Sequence, residues 1–280
     1  MIGEASAPAS SANLGPGFDT LALALGLRCT ARAEPAVSMT ITEGGSTRRL
    51  ADDDRIVRAV DAAVGQPMHI TLDNEIPRAR GLGSSAAVVA SVAAASMKAV
   101  KGRGDAASVY QIVVDLEGHA DNAAAAVFGG LVAVATDGVQ RLDLHPDLQP
   151  VVGIPSDPLP TRRARAALDD SVSRDIAVRT LQRLAFLVSG LASGNAETLA
   201  HAAGDELHER PRSTLSPVTD AMIEAAYAAG AMHACWSGAG PTALALVSPE
   251  SKGRVIGALS GVLGSSGEVL ALPVDRVGVR

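Results

Sequence analysis

Aromatic residues are almost absent from this chain of 280 residues: one Trp, two Tyr and three Phe make up 2% of it. Binding by stacking of bases on aromatic rings, as in single-stranded nucleic-acid grooves, is therefore nearly excluded. Since 47% of the residues are nevertheless hydrophobic, the core must consist of Ala, Val, Leu and Ile. A chain of this length can bury roughly 70–75% of its unfolded surface, which is enough for a real core.

Cysteine and positive charge are also scarce. Cys29 and Cys235 lie too far apart for a disulfide framework or a zinc site, and we interpret both as buried residues in a reducing compartment. The 24 Lys and Arg against 30 Asp and Glu give a net charge of −6. Nucleic acid is therefore not expected as a partner, because phosphate neutralisation needs clustered cations. A small anionic ligand in a local pocket remains compatible with this charge.

Long apolar runs are missing as well. Residues 1–11 have neither a basic region nor an apolar stretch, so no signal peptide is predicted. The longest uncharged stretch, 225–249, contains His233, Gly238 and Gly240, and it predicts helix, turn and strand instead of a bilayer span. We therefore expect a cytoplasmic protein with no membrane partner.

Helical and strand patterns alternate along the chain and predict a mixed α and β class. Residues 84–101 contain no Pro or Gly and predict a buried helix with Ser84 or Ser85 near its N-cap, whereas the start as far as Gly17 is predicted to be loop-like. The polar segment 145–150, with two prolines, predicts a boundary between domains at 1–150 and 151–280. Further helices are predicted at 55–60, 107–117, 176–191, 217–229 and 254–263, and strands at 37–42, 69–72, 131–135, 151–154 and 243–247.

The segment with the clearest chemistry is 77–87, which reads PRARGLGSSAA. Gly81 and Gly83 let the backbone bend close to a ligand, and two hydroxyl residues follow where a helix begins. The free N–H groups and the positive end of that helix form an anion site, for which phosphate is the natural guest. No Walker A pattern is present. A plain tight turn is the alternative interpretation.

Three more segments concentrate polar or turn residues. SSANLGPGFD at 10–19 frames a rigid turn between Asn13 and Asp19, EGHADN at 117–122 places four polar side chains before an apolar segment, and SGAGPT at 237–242 is a glycine-rich turn beside a strand. Taken singly, they are typical of a surface turn, a helix cap and a connection. Glu117 and His119 beside the Asp-Asn pair also fit a metal or proton-transfer role.

In this order and spacing, the four segments resemble the GHMP superfamily of small-molecule kinases, which includes galactokinase, homoserine kinase, mevalonate kinase and phosphomevalonate kinase. GLGSSAA specifies only the superfamily, whereas SANLGPGFD together with EGHADN resembles the homoserine kinases in particular. The resemblance extends from Pro8 to about Val247. It implies an α+β, two-domain fold with an N-terminal ribosomal-S5-like α/β domain and a C-terminal ferredoxin-like domain.

The resemblance also implies an activity. It implies phosphorylation of the side-chain hydroxyl of L-homoserine to O-phospho-L-homoserine, a step of threonine biosynthesis, with ATP and Mg²⁺ as cofactors. A kinase for another small alcohol (threonine, shikimate or phosphomevalonate) and a non-catalytic ligand sensor on the same fold stay open as alternatives. A homodimer is left open as the assembly.

Site residues follow from the same resemblance. Mg²⁺ is expected on Glu117 and on one of Ser84 and Ser85, and the reacting hydroxyl on Asn122. Asp121 is expected to act structurally or electrostatically, with a general base as the alternative. The substrate is expected to contact Asn13, Asp19, His119, Thr161, Arg165 and Arg212, with Asp19 on its amino group and both arginines on its carboxylate. ATP is expected to contact Pro77, Arg78, Ala79, Arg80, Gly81, Leu82, Gly83, Ser84, Ser85, Ala86 and Ala87.

The chain departs from the family pattern at two places. The family's common His-Glu-Pro-x-Arg ending reads HERPR at 208–212, which puts the proline one position later. The family often has an Asn in the segment on the adenine side, where this chain has Arg55 after Asp54. No adenine contact is therefore assigned to that position.

Overall fold

The computed structural model describes all of residues 1–280 and contains two β-sheets. The first sheet contains β1 (Gly3–Ala12), β2 (Leu21–Pro35), β3 (Thr40–Glu43), β4 (Ser46–Arg49), β5 (Met68–Asn74), β6 (Leu131–Ala135) and β7 (Gly138–Leu142). The second contains β8 (Gln149–Pro155), β9 (His233–Trp236), β10 (Ala243–Val247) and β11 (Gly267–Ala271).

Helices accompany both sheets. The first half of the chain forms α1 (Arg55–Val64), α2 (Ser84–Lys101), α3 (Ala106–Glu117) and α4 (Ala120–Phe128). The second half forms α5 (Thr161–Ala166), α6 (Arg174–Ser193), α7 (Ala196–Ala200), α8 (Glu209–Arg212), a 3₁₀ turn (Ser213–Leu215), α9 (Pro217–Ala228) and α10 (Lys252–Leu263). None of these helices combines the length and the apolarity needed to cross a bilayer.

The long strand β2 is the centre of the first sheet. It pairs antiparallel with β1 along one edge, while its two ends pair with β5 and β6 along the other. Apart from β1, the strand order of this sheet is β4-β3-β5-β2-β6-β7, and β3 and β5 are the only neighbouring strands that run parallel. The second sheet is antiparallel in the order β11-β8-β10-β9.

Small side chains allow α2 to lie close to the first sheet. Most of its residues are buried, and they are mainly Ala and Val. A Cβ added at Gly3 of β1 would lie 2.2 Å from the carbonyl oxygen of Ala95 and 2.4 Å from the backbone nitrogen of Ala99. The scarcity of aromatic residues thus has a structural counterpart, because the helix and strand approach too closely for large side chains.

The end of the chain returns to the first sheet. Arg280 exchanges backbone hydrogen bonds with Ser6, and Arg28 of β2 forms an ion pair with Asp275. Consecutive strands change sheet between β7 and β8, close to the predicted boundary at 145–150. Because the last residues pack on the first sheet again, a division into domains 1–150 and 151–280 stays a prediction.

Most of the predicted helices and strands are confirmed with small shifts at their ends. The predicted helix at 84–101 has those bounds, but its N-cap is Gly83, whose φ of 63° is left-handed, and neither serine caps it. The loop-like start is wrong, since β1 begins at Gly3. The strands β2, β4, β7, β9 and β11 had no sequence-based prediction.

Candidate active site

The glycine-rich segment 77–87 forms a left-handed turn that leads into α2. Ala79, Gly81 and Gly83 all have positive φ values, of 54°, 74° and 63°. An alanine in this region is uncommon and strained, which marks the turn as a position where backbone shape matters. The turn brings its backbone N–H groups to the positive end of the eighteen-residue α2, which is a suitable cradle for phosphate oxygens.

This turn is interlocked with the second glycine-rich segment, 237–242. The Ser237 hydroxyl donates to the Gly81 carbonyl at 2.7 Å. A Cβ on Gly81 would lie 2.1 Å from the Ser237 carbonyl oxygen. Arg80 donates to the carbonyl oxygens of Pro155 and Ser156 at the end of β8. The guanidinium of Arg80 therefore fixes the turn to the second sheet, and that of Arg78 pairs with Glu43.

Asn122 is held in one orientation at the start of α4. Its Oδ1 accepts from the Ser10 hydroxyl at 2.9 Å, and its Nδ2 donates to Asp121 Oδ1 at 3.3 Å. Asp121 is 2% exposed, and burial raises the pKa of its carboxyl group, with the charge of Asp19 acting in the same direction. Asp121 thus orients the amide that faces the cavity.

The two serines after the glycines have different surroundings. Ser84 is buried, donates to the Ile76 carbonyl at 3.2 Å and accepts from Asn74 Nδ2 at 3.1 Å. Ser85 is exposed and donates to Glu117 Oε1 at 2.8 Å. Two hard oxygen donors therefore meet at Ser85 and Glu117, the types that Mg²⁺ prefers. No cluster of three or more His, Cys, Asp or Glu side chains in the chain could hold a metal ion.

At the other end of the cavity, Asp19 and Arg165 form a two-pronged ion pair. The Asp19 carboxylate accepts from both terminal nitrogens of Arg165, at 2.6 and 3.1 Å. The Nε of Arg165 donates to His119 Nε2 at 2.9 Å, so the neutral imidazole carries its proton on Nδ1, 2.6 Å from the Glu117 carbonyl oxygen. Three of the predicted substrate residues are thereby brought into one network.

The turn that carries Asp19 is anchored by buried histidines. Asn13, Leu14 and Asp19 have φ values of 73°, 53° and 50°. His233 Nε2 lies 3.0 Å from the Leu14 carbonyl oxygen, and His208 Nε2 lies 2.9 Å from that of Gly15. Burial lowers the pKa of each histidine to about 4, so both rings are neutral donors at physiological pH.

Asn13 adds a third anchor. Its amide nitrogen donates to the Gly238 carbonyl at 2.9 Å, and its oxygen accepts from the Asp19 backbone N–H at 3.0 Å. Asn13 therefore fixes the position of Asp19 relative to the turn 237–242, although it also lines the cavity.

Phe18 and Arg212 complete this end of the site. Arg212 is 1% exposed and donates to the Ala164 and Gly238 carbonyls and to His208 Nδ1. The Phe18 ring stacks on His208 at 5.1 Å between centroids. The guanidinium carbons of Arg165 and Arg212 lie 5.6 and 5.7 Å from its centroid. One aromatic ring thus orients both arginines through cation–π contacts.

A cavity of about 350 Å³ joins these groups. Thr161 is at the start of α5 and also lines it. Of the predicted residues, Arg78 and Ala87 do not line this cavity, although Arg78 lines a second, adjoining one of about 300 Å³. The others do: Asn13, Asp19, Pro77, Ala79, Arg80, Gly81, Leu82, Gly83, Ser84, Ser85, Ala86, Glu117, His119, Asp121, Asn122, Thr161, Arg165 and Arg212.

Sequence reasoning did not assign Phe18, His208, His233 or Arg55 to the site. Phe18 had a sequence signal, since it is one of only three Phe and lies inside the quoted 10–19 segment. The two histidines reach that segment from positions about 200 residues later, and nothing in the local sequence indicates this contact.

Comparisons with known proteins decide the family. The model for the GHMP kinases N terminal domain matches residues 54–130, and the model for the GHMP kinases C terminal region matches residues 187–263. Together, these two ranges cover more than half of the chain. The chain belongs to the GHMP kinase family. It is therefore an ATP-using phosphotransferase with the two-domain α+β fold of that family.

Individual GHMP kinases are similar over most of their length. The homoserine kinase of Moorella thermoacetica is 39% identical over 251 residues, 85% of each chain. That of a Thermus thermophilus strain is 38% identical over 277 residues, which cover 96% of this chain and 95% of the relative.

Solved structures agree with this fold. The homoserine kinase from Cytophaga hutchinsonii superposes with a TM-score of 0.88 at 25% identity, covering 100% of this chain and 96% of that one. A mevalonate kinase superposes at 0.74 with 12% identity over 99% of both chains, which supports the fold alone.

The close approach at Gly83 gives a prediction for the kinase. A Cβ at this position would lie 2.0 Å from Ser10 Oγ and 3.0 Å from Asn122 Oδ1. Gly83→Ala should displace Asn122 and lower kcat/KM at least about a hundredfold, the order expected for a misplacement of about 1 Å in an active site. Steady-state kinetics measures this effect.

Gly102, at the other end of α2, provides a matched control. Its φ of 72° is also left-handed, but a Cβ there meets nothing within 4 Å. Gly102→Ala should cost only about 1 kcal/mol of backbone strain and leave kcat/KM close to that of the wild type. Equal activity losses in the two variants would contradict the steric interpretation.

The buried His233 gives a prediction about pH. Its pKa is about 4 in the folded protein against 6.5 for an unperturbed histidine, so its stabilising contribution is complete above pH 6.5 and is lost as the pH falls through 4. This difference corresponds to roughly 3 kcal/mol. His233→Gln keeps a donor for Leu14 but does not titrate. The free energy of unfolding of the variant should therefore fall less between pH 7.5 and 4.

Two other titratable residues, Glu209 and His201, bear on the comparison between the wild type and His233→Gln. Burial raises the pKa of Glu209 to about 8, which gives a contribution of opposite sign, but it is common to both proteins and cancels in the difference. The exposed His201 provides the control substitution, and the free energy of unfolding of His201→Gln should fall more between pH 7.5 and 4 than that of His233→Gln. Identical pH profiles for wild type and His233→Gln, measured by denaturant unfolding, would show that His233 does not contribute.

Proposed function

We propose that this GHMP kinase transfers the γ-phosphoryl group of ATP to the side-chain hydroxyl of L-homoserine and forms O-phospho-L-homoserine, as in threonine biosynthesis. The named relatives at 38–39% identity are homoserine kinases. The observation that carries the proposal is the Asp19–Arg165 ion pair in the same cavity as the glycine-rich turn.

The ion pair suits a zwitterionic amino acid. An α-ammonium group matches the Asp19 carboxylate, and an α-carboxylate matches the guanidinium groups of Arg165 and Arg212. A ligand that carries both charges gives Asp19 and Arg165 each a new counter-ion when it separates them. A ligand with only one charge leaves the other partner without its counter-ion, a modest cost at a pair whose side chains are 37% and 44% exposed. This favours an amino-acid alcohol over shikimate or phosphomevalonate.

Residues at the opposite end would bind the nucleotide. The N–H groups of the turn 79–85 and the α2 N-terminus face the position of phosphate oxygens, where they stabilise negative charge. The oxygens of Ser85 and Glu117 fit Mg²⁺, because Ser85 is exposed and its hydroxyl lies 2.8 Å from the Glu117 carboxylate, whereas Ser84 is buried and bonded to Asn74 and Ile76. Bound Mg²⁺ neutralises phosphate charge during the transfer.

Asn122 is placed to position the acceptor hydroxyl. Its amide is held by Ser10 and Asp121, so it presents a fixed polar group to the cavity. We assign Asp121 to this positioning, because its Oδ1 accepts from both the backbone N–H and the Nδ2 of Asn122. Phosphoryl transfer depends mainly on alignment and charge neutralisation, which these residues supply.

An ADP-release assay over a panel of small alcohols tests the substrate. With ATP and Mg²⁺, L-homoserine should give the highest kcat/KM among homoserine, threonine, shikimate, mevalonate and phosphomevalonate. ADP release with another alcohol and none above background with homoserine would overturn the assignment. No ADP release with any of them would favour a ligand sensor.

Arg165→Lys tests how the carboxylate is recognised. A lysine cannot reproduce the two parallel hydrogen bonds of a guanidinium, and a hydrogen bond to a charged group contributes about 1.5–3 kcal/mol. The KM for homoserine should therefore rise about tenfold or more, while the KM for ATP stays close to its wild-type value.

An analogue provides the control for this substitution. 2-Aminobutane-1,4-diol has a hydroxymethyl group in place of the carboxylate and should be a poor substrate of the wild type. Its KM should change little on Arg165→Lys. Equal losses for the diol and for homoserine would show that Arg165 does not bind the carboxylate.

A further inference from the structure

Arg55 lies at the position where the oxygens of Ser85 and Glu117 meet. Its NH1 atom donates to Ser85 Oγ at 2.5 Å and to Glu117 Oε1 at 2.8 Å, and these are the only hydrogen bonds of its side chain. The serine hydroxyl also donates to the same carboxylate oxygen, so the three groups form a closed triangle. The guanidinium therefore contacts both oxygens that suit a divalent cation.

The fold brings these groups together from three helices. Asp54 caps α1 by accepting from the Ile56 N–H at 2.9 Å, which places Arg55 in the first turn of that helix. Ser85 lies in the first turn of α2, and Glu117 is the last residue of α3. The meeting point is thus set by helix ends whose backbone positions are fixed.

Glu117 needs a cation at this position. Its side chain is only 9% exposed, and it lies at the carbonyl end of α3, where the helix dipole disfavours a negative charge. Arg55 provides the one ion pair of this carboxylate. A partly buried carboxylate that loses its only counter-ion is destabilised, so one cation can leave only when another replaces it.

Arg55 is also the group that can move. Its side chain is 50% exposed, and it lines both the 350 Å³ cavity and the adjoining 300 Å³ cavity, which also share Ala79, Ser84 and Ser85. A rotation of this long side chain keeps its charge beside the phosphate-binding turn. Phosphate oxygens at the turn would be suitable new acceptors for the guanidinium.

We propose that Arg55 is an exchangeable cation of the metal subsite. It competes with the divalent cation for Glu117 and Ser85, and it yields these oxygens when nucleotide phosphates take over its hydrogen bonds. Metal and nucleotide therefore bind cooperatively, because each helps to remove the guanidinium from the carboxylate. This inference rests on the metal role assigned to Glu117 in the proposed function, but not on the identity of the alcohol.

Binding of Mn²⁺ to the full chain, followed by electron paramagnetic resonance, tests the competition without any alcohol substrate. In Arg55→Gln, Mn²⁺ alone should bind about three- to tenfold more tightly than in the wild type, the order expected when a competing, half-exposed ion pair is removed. Unchanged or weaker Mn²⁺ binding in Arg55→Gln would overturn the proposal.

Two variants make the result specific. Arg58→Gln removes an exposed positive charge one turn further along α1, and it should leave Mn²⁺ binding within about twofold of the wild type. An equal gain in Arg58→Gln would reduce the effect to general electrostatics and overturn the proposal. Glu117→Gln should abolish tight Mn²⁺ binding both in the wild type and in combination with Arg55→Gln.

Cooperativity provides a second measurement. A non-hydrolysable ATP analogue should tighten Mn²⁺ binding by a larger factor in the wild type than in Arg55→Gln, after correction for Mn²⁺ bound to free nucleotide. If the analogue tightens Mn²⁺ binding by the same factor in both proteins, the proposed exchange of Arg55 for the metal is overturned. If Mn²⁺ binding with the analogue does not depend on Glu117, the metal assignment fails as well, whereas failure of the homoserine assay leaves these results unaffected.

Discussion

The site depends on a left-handed turn, 13–19, that the second half of the chain holds in place. Leu14 and Gly15 direct their carbonyl oxygens at His233 and His208, and Asn13 is tied to the Gly238 carbonyl. Positive φ values at two non-glycine residues in succession are uncommon and persist only where the surroundings enforce them. Contacts from the second half of the chain therefore hold the turn in this conformation.

This constraint determines what the cavity can bind. Because the turn is clamped to the second half, Asp19 is carried to Arg165, 146 positions later, while the glycine-rich turn is clamped there separately through Ser237 and Gly81. Asp19, which would bind an ammonium group, and the glycine-rich turn, which would bind phosphate, are thus both held in place by the second half of the chain. In-line transfer between two ligands requires such a common frame, since a small misplacement of either is costly.

Sequence patterns could predict α2, because eighteen consecutive residues without Gly or Pro fit one structure. They could not predict β1, since GEASAPASSA has no β-branched or aromatic residue, and its strand is imposed by ten pairings with β2. The resemblance to known kinases placed Glu117 and Ser85 in the site. It could not identify Arg55 as their partner, because an ion pair between residues 62 positions apart follows from how three helix ends meet.

The net charge of −6 and the binding of an anionic nucleotide are compatible because charge is distributed unevenly. Burial raises the pKa of Asp121, which favours its neutral form. The cavity is lined by four arginines and three acids: Arg55, Arg80, Arg165 and Arg212 against Asp19, Glu117 and Asp121. A long polyanion would meet the acidic remainder of the surface, whose field opposes it. A nucleotide small enough to lie within the cavity meets the local excess of cations instead, so the negative overall charge is compatible with ATP binding.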